Sequence, residues 1–140
     1  MKKLLFFWFV IAAFWSCSVD YGVNDEFLLE ILPIKTVEMP TSVVFNEFYN
    51  INYTYSRPST CHVYNSLYYL SEGNFRTVAV ISTVFNTNEN IFCEPLTEDI
   101  EERSFIFHVE NNTGIYIFKF WQGEDENGQD IFLVFEVPIE

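Results

Sequence analysis

The chain has 140 residues and carries 20 acidic against 7 basic side chains, which gives a formal net charge of −13 at neutral pH. This balance argues against nucleic acid as a partner, because phosphate binding is driven by clustered lysine and arginine. Hydrophobic residues make up 49% of the chain, and this length and composition predict one domain with a single core.

The N-terminus has the order of parts found in a secretory signal. Lys2 and Lys3 precede the apolar run LLFFWFVIAAFW, which ends at Trp15 and is followed by Ser16 and Cys17. A basic start and a short apolar run are typical of a signal peptide, and a run this short cannot span a bilayer as a helix. An uncleaved membrane anchor is the alternative interpretation of the same residues.

The cysteine directly after a small residue resembles the lipobox of bacterial lipoproteins. In that family signal peptidase II cuts before the cysteine, which then carries acyl chains. The resemblance covers residues 1–17 and departs from the usual pattern at Phe14, where leucine is commonest, and at Trp15, where a small residue is preferred. It implies that Cys17 is lipidated, and two or three acyl chains give durable membrane anchoring.

This resemblance also implies a division of the chain and a location. Residues 1–16 are expected to be a cleaved signal peptide, residues 17–27 the lipidated cysteine with a flexible tether, and residues 28–140 the folded domain. The expected location is the cell envelope of a Gram-negative bacterium, with the acyl chains in the outer membrane. An ordinary secreted protein is the alternative.

Two cysteines remain once Cys17 is committed to lipid. Disulfides persist in exported proteins, and Cys61 and Cys93 allow one pairing. Such a bridge closes a loop of about 32 residues and is expected to stabilise the fold by ~3–4 kcal/mol. The alternative is a zinc site with His62 as a third ligand, although structural zinc sites draw their ligands from closely spaced pairs such as CxxC.

Past the tether, apolar and polar residues alternate with a period of two. The segment FYNINYTY at residues 48–55 places aromatic and aliphatic side chains on one face and amides or threonine on the other, which predicts a half-buried strand. The predicted strands lie at about 28–38, 47–56, 61–70, 75–86, 103–110, 114–121 and 130–138, with a long irregular connection at 87–102. Seven short strands separated by turns are typical of a β-sandwich, with a closed barrel as the alternative.

The last third of the domain, NNTGIYIFKFWQGEDENGQDIFLVFEVPI, resembles the closing hairpin of bacterial immunoglobulin-like modules. It has a Gly-x-Tyr at Gly114 to Tyr116, a long strand, a polar turn with Asn127-Gly128 and a final strand. The resemblance implies an all-β fold, a single immunoglobulin-like antiparallel β-sandwich of about seven strands. It also implies a tyrosine corner, in which the Tyr116 hydroxyl bonds to nearby backbone.

Three predicted strands are apolar on both faces, namely 75–86, 114–121 and 130–138. A two-layer sandwich buries one face of each sheet, so the second apolar face must be either covered or available for binding. Cover by the N-terminal strand, the 87–102 connection and the long stems of polar side chains is the simpler interpretation. The alternative is a binding surface centred on Trp121, with three possible neighbours: Tyr64, Tyr68 and Tyr69.

Signatures of catalysis and metal binding are scarce. The two histidines, His62 and His108, are the candidate bases at neutral pH, and the GxSxG, HExxH and P-loop motifs are absent from the sequence. We therefore expect no enzymatic activity and no cofactor, because a hydrolase requires one of these histidines within hydrogen-bond reach of a nucleophile. The oxygens of Asp125, Asn127 and Asp130 form a calcium candidate, although Asn-Gly is already explained as a hairpin turn.

These patterns predict an envelope lipoprotein without a catalytic site. We expect it to be held to the membrane by acyl chains on Cys17 and to act as an interaction or accessory module, binding another envelope protein through a sheet face or loops. The alternative is a small-ligand or glycan binder that uses the aromatic surface around Trp121.

Overall fold

The computed structural model describes residues 27–87 and 92–140, and these residues form an all-β fold. Its eight strands are β1 Phe27–Leu32, β2 Ile34–Glu38, β3 Phe48–Ser56, β4 His62–Glu72, β5 Phe75–Phe85, β6 Ile100–His108, β7 Ile115–Glu124 and β8 Asp130–Pro138. The predicted signal peptide, Cys17 and most of the predicted tether lie outside the described residues. In the described part of the chain there is no helix of the length and apolarity needed to cross a membrane.

Most strand predictions are confirmed, and the main difference falls at Pro33. The single strand predicted at 28–38 is two strands, β1 and β2, which belong to different sheets. Proline has no N–H to donate to a ladder, so it ends the pairing of one strand and lets the chain cross to the other sheet. The 87–102 connection is shorter than predicted because β6 already begins at Ile100.

The strands form two separate sheets, which confirms the predicted β-sandwich. One sheet has three antiparallel strands in the order β2-β3-β6. The other has five strands around β5, which pairs with β4 on one edge. On its other edge β5 pairs with β1 through Val80–Phe85 and with β7 through Phe75–Val78.

The β5–β7 pairing is parallel, so the five-stranded sheet is mixed rather than purely antiparallel. Alternation of apolar residues reports which face a side chain takes but not which strands are neighbours, and the sequence therefore could not show this pairing. The immunoglobulin-like part of the fold prediction stays a prediction.

The core lies between the inner faces of the two sheets. At its centre the Phe107 ring meets the rings of Tyr116 and Phe118 edge-on, each with centroids 4.9 Å apart. Burying an aromatic or aliphatic side chain of this size contributes about 1.5–3 kcal/mol, so these inner residues supply most of the drive to fold. The fully enclosed set includes Leu32, Ile34, Val43, Ile51, Tyr53, Tyr55, Val78, Val80, Val109, Phe120 and Val137.

The predicted hydrogen bonding of the Tyr116 hydroxyl to nearby backbone is present at the start of β7. The Tyr116 hydroxyl accepts hydrogen bonds from the backbone N–H of Glu110 at 3.1 Å and of Asn111 at 2.9 Å. Gly114 turns the chain into β7 with a φ of 106°, and a Cβ there would lie 2.8 Å from Asn74 Nδ2. Glycine is therefore needed here for both its backbone conformation and its size.

The predicted disulfide between Cys61 and Cys93 is present, with the two Cα atoms 5.2 Å apart. It fastens the connection before β6 to the turn between β3 and β4. Backbone hydrogen bonds from Thr60 N to Glu94 O and from Leu96 N to Pro58 O run alongside it. Because the two sulfurs are bonded to each other, neither cysteine is a free thiolate ligand. The alternative interpretation of these residues as a zinc site is therefore wrong.

Candidate binding surfaces

The side of the five-stranded sheet that faces away from the core is apolar across all five strands; we call it the outer apolar face. Residues that pair across neighbouring strands form rows on this face, and one such row is Leu70–Thr77–Lys119–Val134. Ten large apolar side chains on it are between 38% and 61% exposed: Phe27, Leu29, Ile31, Val63, Tyr68, Leu70, Phe75, Phe85, Ile115 and Val134. A contiguous exposed set of this size is characteristic of an interaction site.

Charged groups on the outer apolar face are few and sit mainly at its margins. Glu72 and Glu136 lie at the two ends of one row, on β4 and β8. Lys119 lies nearer the centre, with its ammonium 5.4 Å from the centroid of the Phe75 ring. A face with an apolar centre and a charged margin has the composition of a protein interface.

Trp121 and Tyr68 both lie on the outer apolar face. Tyr68 pairs with Ala79 on β5, and Trp121 follows the Phe120–Val78 pair by one residue, so Ala79 lies between the two aromatic side chains. The indole Nε1 of Trp121 donates a 2.7 Å hydrogen bond to Asp130 Oδ1, and Trp121 also pairs with Phe132.

Tyr64 and Tyr69 are not brought to this face, which corrects the predicted grouping around Trp121. Tyr69 follows Tyr68 in β4 and so points inward, where its ring meets Phe105 at 5.7 Å. Tyr64 also points inward, with its hydroxyl 3.4 Å from that of Tyr53. The register shift between Tyr64 and Ser66 is what places Tyr64 inside, and regular alternation could not reveal this bulge.

The outer apolar face is not covered in the way that the simpler interpretation expected. The N-terminal strand β1 lies within the sheet, hydrogen-bonded to β5, and adds its own apolar residues to the face. In the described part of the connection before β6, the backbone bonds instead to the turn at residues 57–60. The second apolar face therefore stays exposed at the ten residues named above.

The calcium candidate is engaged in closing the β7–β8 hairpin. Asp125 Oδ1 accepts hydrogen bonds from the backbone N–H of Gln129 at 2.9 Å and of Asn127 at 2.8 Å, and these bonds lower the pKa of the Asp125 carboxyl. Asp130 accepts from Trp121. Across residues 27–87 and 92–140, no group of three or more histidine, cysteine, aspartate or glutamate side chains is placed to hold a metal ion.

His62 is within hydrogen-bond reach of a serine, which is the geometric condition set above for a hydrolase. Its Nδ1 lies 2.7 Å from Ser59 Oγ, and its Nε2 lies 3.0 Å from Glu30 Oε2. His62 as a whole is 8% exposed. The three side chains thus form a chain of hydrogen bonds from serine through histidine to a carboxylate.

The contact between Ser59 and His62 belongs to a tight turn that begins at Ser59. The three N–H groups after Ser59 are already used: Thr60 N donates to Glu94 O, Cys61 N to Ser59 Oγ, and His62 N to Ser59 O. A nucleophilic serine needs nearby N–H donors aimed at the developing oxyanion, and these three are not available. His108, the other histidine, stacks on Phe48 with ring centroids 4.4 Å apart and has Nε2 3.3 Å from Asn46 Oδ1.

A second surface, which the sequence did not indicate, is a cleft between β4 and β6. It has a volume of about 390 Å³ and is lined by Leu67, Tyr69, Ser71, Arg76, Phe105, Ile106, His108 and Glu110. Arg76 is 2% exposed, which is unusual for a charged side chain. The signal that could have revealed it is one arginine in the otherwise apolar or small-residue strand FRTVAVISTVF.

Comparisons with models of protein families, with curated proteins and with solved structures give no match to this chain.

Proposed function

We propose that this protein is a non-catalytic binding module of the bacterial cell envelope, anchored by acyl chains on Cys17, whose outer apolar face docks another protein. The observation that supports this proposal is the set of ten large apolar side chains left 38–61% exposed on one sheet face. Leaving so much apolar surface in water is costly, and cover by a partner removes that cost at about 25 cal/mol per Å².

The dimensions of the face favour a protein over a small molecule. The face is four strands wide where β7 pairs with β5 and three strands wide where β1 does, and with strands about 4.8 Å apart this gives a width of roughly 14–19 Å. The 11 residues of β5 at about 3.3 Å each give a length of roughly 36 Å. The product, roughly 500–700 Å², approaches the area of about 800 Å² that each partner contributes to a standard protein interface.

Charge favours a different protein over a second copy of this chain. Once Lys2 and Lys3 leave with the signal peptide, each copy keeps 20 acidic and 5 basic side chains, a formal net charge of −15, and the repulsion between two such copies opposes association. A partner with an apolar centre and basic margin meets the apolar centre of the face and pairs with Glu72 and Glu136. Complementary charge of this kind also speeds association.

The anchor is tested by intact mass and detergent partitioning of the full chain expressed in a Gram-negative host. The wild-type protein is expected to gain acyl mass and to enter the detergent phase, and Cys17→Ala is expected to lose both properties. A soluble, unacylated wild-type protein would contradict the anchoring and leave a secreted protein instead.

The docking face is tested by thiol footprinting, for which the chain is well suited. Cys61 and Cys93 are joined in a disulfide, so a single introduced cysteine supplies the reactive thiol when Cys17 is acylated. Val134→Cys lies on the outer apolar face, and Ile100→Cys on the three-stranded sheet is the matched control, since these positions are 50% and 59% exposed.

We expect a maleimide to label both purified variants fully. In intact envelopes it should label Ile100→Cys fully and Val134→Cys several-fold less, because a bound partner shields the face. Equal labelling of the two positions in the envelope would contradict the proposal. Sedimentation of the purified protein tests the remaining alternative, in which a second copy of the chain occupies the face. A dimer that Val134→Glu dissociates would show that the occupant is a second copy.

Glycan binding is the second candidate function, and the placement of Tyr68 and Trp121 on either side of Ala79 is the observation that favours it. Aromatic side chains on one flat face can stack on sugar rings. A titration with soluble polysaccharides, followed by the fluorescence of Trp121, tests this directly. Saturable quenching that Tyr68→Ala removes would favour glycan over protein.

A further inference from the structure

The cleft between β4 and β6 lies on the open side of the sandwich. Among the described strands, β4 pairs with β5 alone and β6 with β3 alone, so each presents a free edge to this side. The walls are formed by Leu67 and Tyr69 from β4 and by Phe105 from β6. The volume of about 390 Å³ falls within the range of about 300–1,000 Å³ that small-molecule sites occupy.

Arg76 supplies a buried positive charge to this cleft. Its Nη1 donates to the carbonyl oxygens of Gly73 at 2.6 Å and Phe75 at 2.8 Å, and its guanidinium carbon lies 4.8 Å from the centroid of the Tyr116 ring. These contacts fix one edge of the guanidinium and leave its Nη2 toward Glu110.

The acidic group that faces Arg76 is a poor partner for it. Glu110 Oε2 is 3.8 Å from Arg76 Nη2, which is beyond hydrogen-bond distance, and the Glu110 side chain is 66% exposed. A buried cation is costly unless a close counter-charge and hydrogen bonds compensate for lost hydration. The cleft therefore combines largely apolar walls with one buried cation, whose acidic partner Glu110 lies beyond hydrogen-bond distance and whose other polar neighbour in the wall is Tyr69.

We propose that this cleft binds an organic carboxylate with an apolar body. The ligand carboxylate replaces Glu110 as the acceptor for Arg76 Nη2, because a charge-assisted bond at hydrogen-bond distance is stronger than a contact at 3.8 Å. The apolar body packs between Leu67, Tyr69 and Phe105. The site is separate from the outer apolar face, since Tyr69 points inward and Tyr68 outward.

Two sources can present this chemistry: a free aromatic or aliphatic acid, and the C-terminal residue of a peptide. The free edge of β4 adds a means of holding a peptide, because an extended chain can pair with an unpaired strand through its backbone. A free acid gains nothing from that edge. The sources are therefore distinguished by the effect of added residues on affinity.

The test uses N-acetyl-phenylalanine and its amide as probes, titrated into the isotopically labelled domain and followed by backbone amide NMR shifts. We expect the acid to bind at least 10-fold more tightly than the amide, since a hydrogen bond to a charged group is worth about 1.5–3 kcal/mol. Shifts should map to β4 and β6. A pentapeptide ending in phenylalanine acid is expected to bind more tightly than N-acetyl-phenylalanine if peptides are the source, and equally if free acids are.

Variants beside the cleft keep the test independent of folding. Arg76 is buried and its replacement can disturb folding, so the cleft is tested by Ser71→Trp, which fills it from its exposed rim. Leu70→Trp is the matched control, because Leu70 is adjacent to Ser71 in β4 but its side chain points to the outer apolar face. We expect Ser71→Trp to weaken acid binding at least 10-fold and Leu70→Trp to leave it unchanged. Equal binding of acid and amide, absence of binding by both, or unchanged binding by Ser71→Trp would each overturn the proposal.

Discussion

Removing the Tyr116 hydroxyl tests how the corner between β6 and β7 is held. Tyr116→Phe leaves two backbone donors, Glu110 N and Asn111 N, without the acceptor that now lies 3.1 Å and 2.9 Å away. A net contribution of about 0.5–1.5 kcal/mol for each bond predicts a loss of about 1–3 kcal/mol in the free energy of unfolding. The Tyr116 side chain is fully buried, so water does not readily replace the lost oxygen.

Tyr49→Phe is the matched control for this measurement. The Tyr49 hydroxyl also accepts a backbone hydrogen bond, from Val44 N at 3.0 Å, but in an exposed setting where water can take its place. We expect this variant to lose no more than about 0.5 kcal/mol. Urea unfolding can be followed through Trp121, because the other two tryptophans lie in the predicted signal peptide. Equal losses for the two variants at an unchanged dependence on urea would refute the role given to the corner.

Three further measurements address the disulfide, an acidic network and the serine beside His62. Replacing Cys61 and Cys93 together by serine should lower the free energy of unfolding by about 3–4 kcal/mol, because the bridge closes a loop with a sequence separation of 32, and a loss below about 1 kcal/mol would contradict this. The Tyr55 hydroxyl donates a 2.6 Å hydrogen bond to Glu101 and is the main cause that lowers the pKa of that carboxyl below its ordinary value. The ionised Glu101 carboxylate therefore stabilises the fold above its unfolded pKa, and this stabilisation is lost as pH falls through its folded pKa. Glu101→Gln should flatten the fall in melting temperature between about pH 5 and pH 3. An unchanged slope in this variant would argue against the stabilising role of the Glu101 carboxylate. A fluorophosphonate probe should not label the protein, whereas labelling that Ser59→Ala abolishes would establish a nucleophile and contradict the proposal of a non-catalytic module.

Much of the fold could be predicted because period-two alternation is a local signal. The segment around Ile51 alternates so regularly that both the strand and its inward face are evident from sequence. The disulfide prediction rests on the predicted export and on the availability of one pairing, and the backbone bonds of the Tyr116 hydroxyl are implied by the resemblance carried by Gly114 and Tyr116. Each of these features depends on residues close in sequence or on simple counting.

The features that could not be predicted depend on contacts between distant segments. The parallel pairing of β5 with β7 joins strands separated by all of β6, and alternation is the same for parallel and antiparallel neighbours. The bulge between Tyr64 and Ser66 reverses the face of Tyr64 without an obvious sequence mark. Tyr69 is a different case, because it directly follows Tyr68 and alternation alone places the two side chains on opposite faces. The cleft at Arg76 arises because β4 and β6 both lie at sheet edges, which the sequence does not state.

The most direct test of the proposed docking face is site-specific photo-crosslinking in the intact envelope. A benzophenone amino acid is placed at Tyr68 on the outer apolar face, or at Ile100 on the three-stranded sheet as the control, with and without Val134→Glu on the same chain. We predict one discrete adduct from position 68, none from position 100, and loss of the adduct with Val134→Glu. The partner identified from the adduct, once purified, should bind the wild-type protein with an affinity that falls as the salt concentration is raised. Adducts of equal yield from both positions, or an adduct that persists with Val134→Glu, would contradict the proposal that this face is the docking surface.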